Sequence, residues 1–301
     1  MLRPSHLVTL REVCRTGSFA LAARSLGYTA SAVSQQMVLL EKDTGLVLFE
    51  RGARGVRVTS AARRLMELSR RVLADLDDLG HEVRELASGS SGRLRLGSFP
   101  TASVRLVPTA LSRFTHRYPR AQIFLEEGEP DELIHMLVEG SLDLAIVYEY
   151  ALVPQRWPDG IAEHDLLKED LLLLRLGDKE PDRPPELSTL AGERWITSRE
   201  GTGGALSLTR LCAEAGFTPT VAFRSNNYDV VRHLVAAGLG VAIVPALSHV
   251  HDDRILATSL ESASACRRVV ALHREANSNP LLDDALTTLR DVVRTRVHLK
   301  I

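Results

Sequence analysis

Two sets of residues have types and spacings that can do chemistry. The first is Thr29, Ser31, Ser34 and Gln35, followed by Arg51, Arg54 and Arg57 in a glycine-rich stretch. Small hydroxyl side chains let a helix approach base edges, and a Gln amide can bond adenine at N6 and N7. Arginines at the tip of a hairpin grip phosphate or enter a minor groove. The second set is three polar segments: Ser98-Phe99-Pro100-Thr101-Ala102-Ser103, Thr197-Ser198-Arg199-Glu200-Gly201-Thr202-Gly203-Gly204 and Ser225-Asn226-Asn227. Their hydroxyls and free backbone amides suit a carboxylate or carbonyl, and glycines before a helix make an anion nest. Arg199 would pair an acid, which points to an anionic ligand. Tyr148 and Glu149 extend this set. Ser, Thr and Asn also cap helices, which is the plainer reading of each position.

Other chemistries find little support. There is no GxSxG elbow and no HExxH, and the 197–204 loop lacks the GK[ST] ending of a P-loop. Cys14, Cys212 and Cys266 are far apart, with no CxxC, so neither a zinc site nor a disulfide framework is expected. His249 and His251 with Asp252 and Asp253 hint at metal, but they follow Pro245 in a polar stretch that reads as a solvated loop. No catalytic residue, metal ligand or cofactor is therefore assigned, and the chain is not expected to be an enzyme. No apolar run approaches the ~18 residues of a membrane span. Pro4, His6 and Arg11 interrupt any signal-peptide core, so a cytoplasmic location without membrane contact is expected.

Charge separates the two sets. The chain has 301 residues and a formal net charge of −1. Residues 1–71 hold 12 basic and 5 acidic side chains, a surplus of +7, against −8 over 72–301. A basic segment gains affinity for phosphates by releasing counterions. The plain alternative is a solvated basic face.

The elements that must position the first set are short helices and a hairpin. Leu2, His6, Leu7, Leu10 and Val13 recur at helical spacing up to Gly17. Ser18 caps a helix over Phe19–Leu26, with Gly27 at its end. Thr29 caps a longer one, from about Ala30 to Lys42, with Val33, Met37 and Leu40 inward and Ser31, Ser34 and Gln35 outward. Strand-like residues around Gly52-Ala53-Arg54-Gly55 read as a wing. This is a helix-turn-helix whose second helix would enter a major groove. A helix from Ser60 to about Ala87 follows, roughly 40 Å long at ~1.5 Å per residue. Its stripe of Leu65, Leu68, Val72, Leu76, Leu79 and Val83, ending at Leu86, fits three heptads and needs a partner. Ser88-Gly89-Ser90-Ser91-Gly92 reads as a flexible hinge.

From Arg93 strands and helices alternate: strand 94–97, helix 102–117, strand 122–126, helix 131–139, strand 142–147. A second set has strands at 171–174, 195–197, 220–223 and 241–243, and helices near 205–215 and 229–237. A strand at 268–272 and a helix at 281–297 close the chain. This order predicts α/β structure with parallel strands.

Residues 1–65 resemble the winged-helix head of LysR-type transcriptional regulators. The resemblance is carried by Gly17-Ser18-Phe19, Ala22-Ala23-Arg24-Ser25-Leu26, Ala32-Val33-Ser34-Gln35-Gln36, Leu40-Glu41, Gly45, Leu48-Phe49-Glu50-Arg51 and Val58-Thr59. The chain departs from the family pattern at Ala30, often a base-reading Gln, and at Val38 and Leu39, often basic. The preferred bases therefore do not follow. The remainder resembles the family's effector domain through 234–245, Leu-Val-Ala-Ala-Gly-Leu-Gly-Val-Ala-Ile-Val-Pro.

What the resemblance implies is a multi-domain chain. Its parts are an N-terminal winged helix-turn-helix (1–59), a linker helix and hinge (60–92), and an α/β effector domain (93–301) like periplasmic binding proteins. That domain would have subdomains 93–161 plus 268–301 and 162–267. The implied function is sequence-specific binding of double-stranded DNA, modulated by a small molecule in the effector cleft. The linker helix would pair antiparallel with a second copy in a homo-oligomer, a dimer or tetramer, and RNA polymerase is a further candidate partner. The competing readings are an α/β enzyme and a solute-binding module with a fused DNA-binding head.

Overall fold

The computed structural model describes residues 2–52, 55–88, 92–177, 185–260 and 262–297. The chain divides into two compact units. One comprises 1–90, 135–142 and 276–279; the other comprises 91–134, 143–275 and 280–301.

The first unit begins with α1 (Pro4–Thr16), α2 (Phe19–Leu26) and α3 (Ala30–Thr44). Each stop is local. Gly27 takes φ 70°, and the Tyr28 N–H reaches back to the Ala23 carbonyl at 2.8 Å, which closes α2 and turns the chain into α3. Thr29 accepts from the Ala32 N–H at 3.2 Å and caps α3. Leu7, Leu10, Val13, Ala22, Ala23, Val33, Met37, Leu40 and Leu48 are buried together. Burying each large aliphatic side chain contributes about 1.5–3 kcal/mol.

β1 (Phe49–Gly52) and β2 (Gly55–Val58) pair antiparallel, with Phe49 opposite Val58 and Glu50 opposite Arg57. α4 (Ser60–Ser88) follows. Its heptad positions divide. Leu65 packs against the core of the three helices, beside buried Ala62 and Leu73. Leu68, Val72, Leu76, Leu79 and Val83 stay 38–59% exposed. The side chain of Leu86 lies outside the described residues.

The second unit carries a nine-stranded sheet in the order β4-β3-β5-β11-β6-β9-β7-β8, with β10 also on β6. Its first half uses β3 (Arg93–Ser98), α5 (Pro100–Arg105), α6 (Val107–Arg117), β4 (Gln122–Glu127) and β5 (Leu144–Tyr150), and α7 (Pro130–Val138) begins in it, with residues 135–138 in the first unit. The single helix expected over 102–117 is two, broken at Leu106, with Pro108 in the first turn of α6 where its missing N–H costs nothing. The second half uses β7 (Arg194–Thr197), α8 (Gly203–Glu214), β8 (Thr220–Arg224), α9 (Tyr228–Ala236), β9 (Val241–Pro245) and β10 (Ile255–Ser259). β3, β4 and β5 run parallel, as do β7, β8 and β9.

Two antiparallel strands join the halves. β6 (Ile161–Leu176) is much longer than the 171–174 segment expected, because its first ten residues, Ile-Ala-Glu-His-Asp-Leu-Leu-Lys-Glu-Asp, lack a strand's alternation and carry five charged side chains. Those residues pair with β11 (Cys266–Arg274), and Leu171–Leu174 pair with β9. β10 was not anticipated. Gly240 is required where β9 begins: a Cβ there would lie 2.3 Å from the Arg194 carbonyl oxygen.

α10 (Leu282–Val297) packs on the first half through Leu282, Ala285, Leu286, Leu289 and Val293. It is pinned by a polar chain. Arg290 donates to His164 Nδ1 at 2.8 Å, and His164 Nε2 meets His273 Nε2 at 2.8 Å. His273 Nδ1 lies 2.8 Å from the Arg274 carbonyl. The two rings are within 14° of parallel with centroids 4.9 Å apart. A short contact between nitrogens at that separation is an in-plane N–H···N bond, not face-to-face stacking. The chain is satisfied only when both imidazoles are neutral.

Candidate functional site

The head presents its polar set on one face. Val33, Met37 and Leu40 turn inward, so Ser31 and Gln35 are exposed and Ser34 is half-buried. Thr29 is exposed at the start of α3, 3.0 Å from the Ser31 hydroxyl. Val38 and Leu39 are exposed on the same helix. The wing is held against α3 by Glu41, whose Oε1 accepts from the Leu48 and Phe49 N–H groups at 2.7 and 3.1 Å. Thr59 donates to the Val47 carbonyl at 2.9 Å and also caps α4 through the Ala62 N–H. Arg57 is 81% exposed and 3.0 Å from Glu50 across the hairpin. Arg51 lies on β1 opposite Val56. Arg54 falls outside the described residues.

In the second unit a cleft is lined by Phe99, Thr101, Glu129, Tyr148, Tyr150, Ser198, Thr202, Gly204, Asn226, Tyr228 and Arg267. It encloses about 380 Å3 with its mouth included. Loops after β3 and β7, the start of α9, and strands β5 and β11 converge there, which is where open α/β sheets bind ligands. Of the expected residues, Thr101, Tyr148, Ser198, Thr202 and Asn226 are brought together. Thr197 lines an adjoining cavity with Ser225 and Ser207. Ser98 is fully buried and bonds toward the Phe99 carbonyl, and Ala102 sits in the core beside α6. Ser103 bonds the Ser98 carbonyl. Arg199 is exposed outside the lining; its backbone N–H donates to Asn226 at 2.9 Å.

The cation in the cleft is Arg267, which the sequence reading passed over. It is 1% exposed. Its Nε donates to Glu169 at 2.8 Å and its Nη2 to Thr101 at 2.9 Å. Phe99 and Tyr148 rings lie 4.9 and 4.7 Å from the guanidinium. Glu169 is itself buried and accepts from the Leu247 N–H at 2.6 Å. The only advance signal was a paired Arg267-Arg268 entering an apolar strand. Alternation forces one of the two inward, and Arg268 takes the outer face against Glu149, Glu163 and Asp165.

Three phenols complete the wall. Tyr148 donates to Glu129 at 2.7 Å. Tyr228 and Arg267 both hydrogen-bond the Tyr150 hydroxyl. Burial pushes all three phenols above their ordinary values, so they remain protonated donors. Gly204 keeps the floor open, since a Cβ would lie 2.8 Å from Ser198 Oγ and 3.2 Å from the Tyr150 hydroxyl.

Elsewhere, Asp252 is held by Arg254 and Arg232, and His251 meets Asp253 in solvent. Among the described residues no three His, Cys, Asp or Glu side chains form a metal-binding group, and no helix is long and apolar enough to cross a membrane. Burial raises the Cys14 thiol and pushes Cys212 up to about 12, and Cys266 is buried beside the Ala263 carbonyl.

Comparison with known proteins agrees with both units. Residues 4–63 match the bacterial regulatory helix-turn-helix protein family, lysR type, and residues 87–294 match the LysR substrate binding domain. The chain is similar to the small neutral protease regulatory protein of Streptomyces coelicolor, at 34% identity over 83% of this chain and 80% of that one. It is similar to the hydrogen peroxide-inducible genes activator of Pectobacterium carotovorum, at 30% identity over 81% and 78%. Among solved structures, full-length CbnR complexed with its target DNA aligns with a TM-score of 0.63 at 24% identity, covering 97% of this chain and 100% of that one.

Proposed function

This chain belongs to the LysR family of DNA-binding transcriptional regulators with an effector-binding domain, and from that premise we propose how its own residues divide the work. Thr29, Ser31, Ser34 and Gln35 face base edges in a major groove, and Arg51, Arg54 and Arg57 grip the backbone beside it. The observation that carries this is the exposed polar face of α3 with the wing clamped to its end by Glu41. In this reading the working parts are a head over 1–59, a linker helix and hinge over 60–92, and an effector domain over 93–301. The effector domain divides into 93–161 plus 268–301 and 162–267, with the crossings on β6 and β11.

The exposed stripe of Leu68, Val72, Leu76, Leu79 and Val83 covers itself against a second copy, giving a dimer or tetramer on an imperfect palindrome. The protein works in the cytoplasm, with RNA polymerase as a further partner at the promoter. The effector sits in the cleft of Thr101, Tyr148, Ser198, Thr202 and Asn226, and it must bind two states of the protein differently to change DNA binding. An anionic effector, suggested by Arg199, gains no support there, because Arg199 lies outside the lining. Peroxide sensing by a thiol gains none either. No cysteine lines the cleft, and burial raises both Cys14 and Cys212.

The test is anisotropy titration of the full-length protein on the intergenic DNA upstream of its own gene. Binding at least about a thousandfold tighter than to shuffled DNA at the same salt is expected. Equal affinity for both overturns the reading.

A further inference from the structure

We infer that the cleft takes a small ammonium-bearing molecule, with Glu129 as its counter-ion. This rests on the cleft being the effector site.

The lining holds two charged groups, Glu129 and Arg267. Arg267 is already neutralised. Glu169 closes it, Thr101 accepts from it, and two aromatic rings cover it. An incoming anion would have to compete with a buried carboxylate for that cation. Glu129 is the opposite case. It is half-buried and accepts one hydrogen bond, from Tyr148, and among the described residues it forms no ion pair. The lining therefore carries one uncompensated negative charge. A like charge brought there is repelled and an opposite one attracted, and the low dielectric of a cleft magnifies both.

The other wall defines the second half of the ligand. Tyr150 stands in the same lining, and burial holds its phenol protonated, so it offers an O–H to an acceptor. The Asn226 carbonyl is committed to the Arg199 N–H, which leaves its amide N–H groups. A ligand with an ammonium at one end and a carbonyl oxygen at the other satisfies both walls.

Three small amides of different charge test this at pH 7: glycinamide (cationic), propionamide (neutral) and malonamate (anionic). Each is titrated against the full-length protein, with the melting temperature read as apparent affinity. Glycinamide is expected to bind at least tenfold tighter than propionamide, and malonamate not to bind. Glu129→Gln keeps the acceptor for Tyr148 and should bring glycinamide down to the propionamide level. Asn226→Trp, at a half-buried position in the lining, should abolish both. Malonamate binding tighter than glycinamide, and lost in Asn226→Trp, overturns the charge class and leaves the cleft as effector site. Glycinamide binding that neither variant alters overturns the cleft as well. A shift from none of the three overturns the inference.

Discussion

The arginines of the two units are used in opposite ways. On the wing, Arg57 stands 81% exposed, and its contact with Glu50 is an exposed pair of the kind worth under about 1 kcal/mol. It can leave that partner for a phosphate at little cost. In the cleft, Arg267 is 1% exposed and bonded to Glu169 and Thr101. Its charge is already matched by Glu169, and it serves to hold α5, β6 and β11 together. A cation near a site thus reports on ligand charge only after its own partners are counted.

Four measurements would break or sharpen that contrast. The largest effect belongs to Arg267→Gln. It leaves Glu169 buried without a counter-ion and should cost about 3–5 kcal/mol in urea unfolding. A loss under 1 kcal/mol would mean that water already reaches the pair. Next comes Gln35→Ala, which should lose about 1–3 kcal/mol of discrimination between the operator and a single-base variant while nonspecific affinity holds. Equal loss on all DNA would make Gln35 a backbone contact. Arg57→Ala should leave stability within about 0.5 kcal/mol and lower the slope of log affinity against log salt by about 0.9, as should Arg54→Ala. An unchanged slope would remove the wing from the phosphates.

The smallest effect is on pH. Burial, His273 and Arg290 lower the pKa of His164, against Asp283 and Glu163, which raise it. The folded state therefore holds fewer protons than the unfolded chain below about pH 6.5, and stability falls as pH drops from there through the folded value. His164→Asn should flatten that part of the stability–pH curve. An unchanged curve would show that His164 is not what titrates.

The head was legible because its determinants are local. Gly17 and Gly27 end helices at the expected places, and the spacing of Val33, Met37 and Leu40 fixes which side Gln35 faces. The cleft was half legible. Thr101 sits in the first turn of α5, and Ser198, Thr202 and Asn226 sit on loops that follow strands or open helices, a rule readable from element order. Arg267 and Glu129 follow no such rule. Their meaning depends on Glu169 and Tyr148, partners 98 and 19 residues away in sequence. The stripe on α4 was legible as a pattern, but the assignment of Leu65 to the head's own core depends on where Ala62 and Leu73 turn the helix.

Glu41 has a consequence beyond local geometry. By accepting from the Leu48 and Phe49 amides, it fixes the start of β1 to the last turns of α3. That ordering is completed when the head folds, so it adds nothing to the cost of docking on DNA.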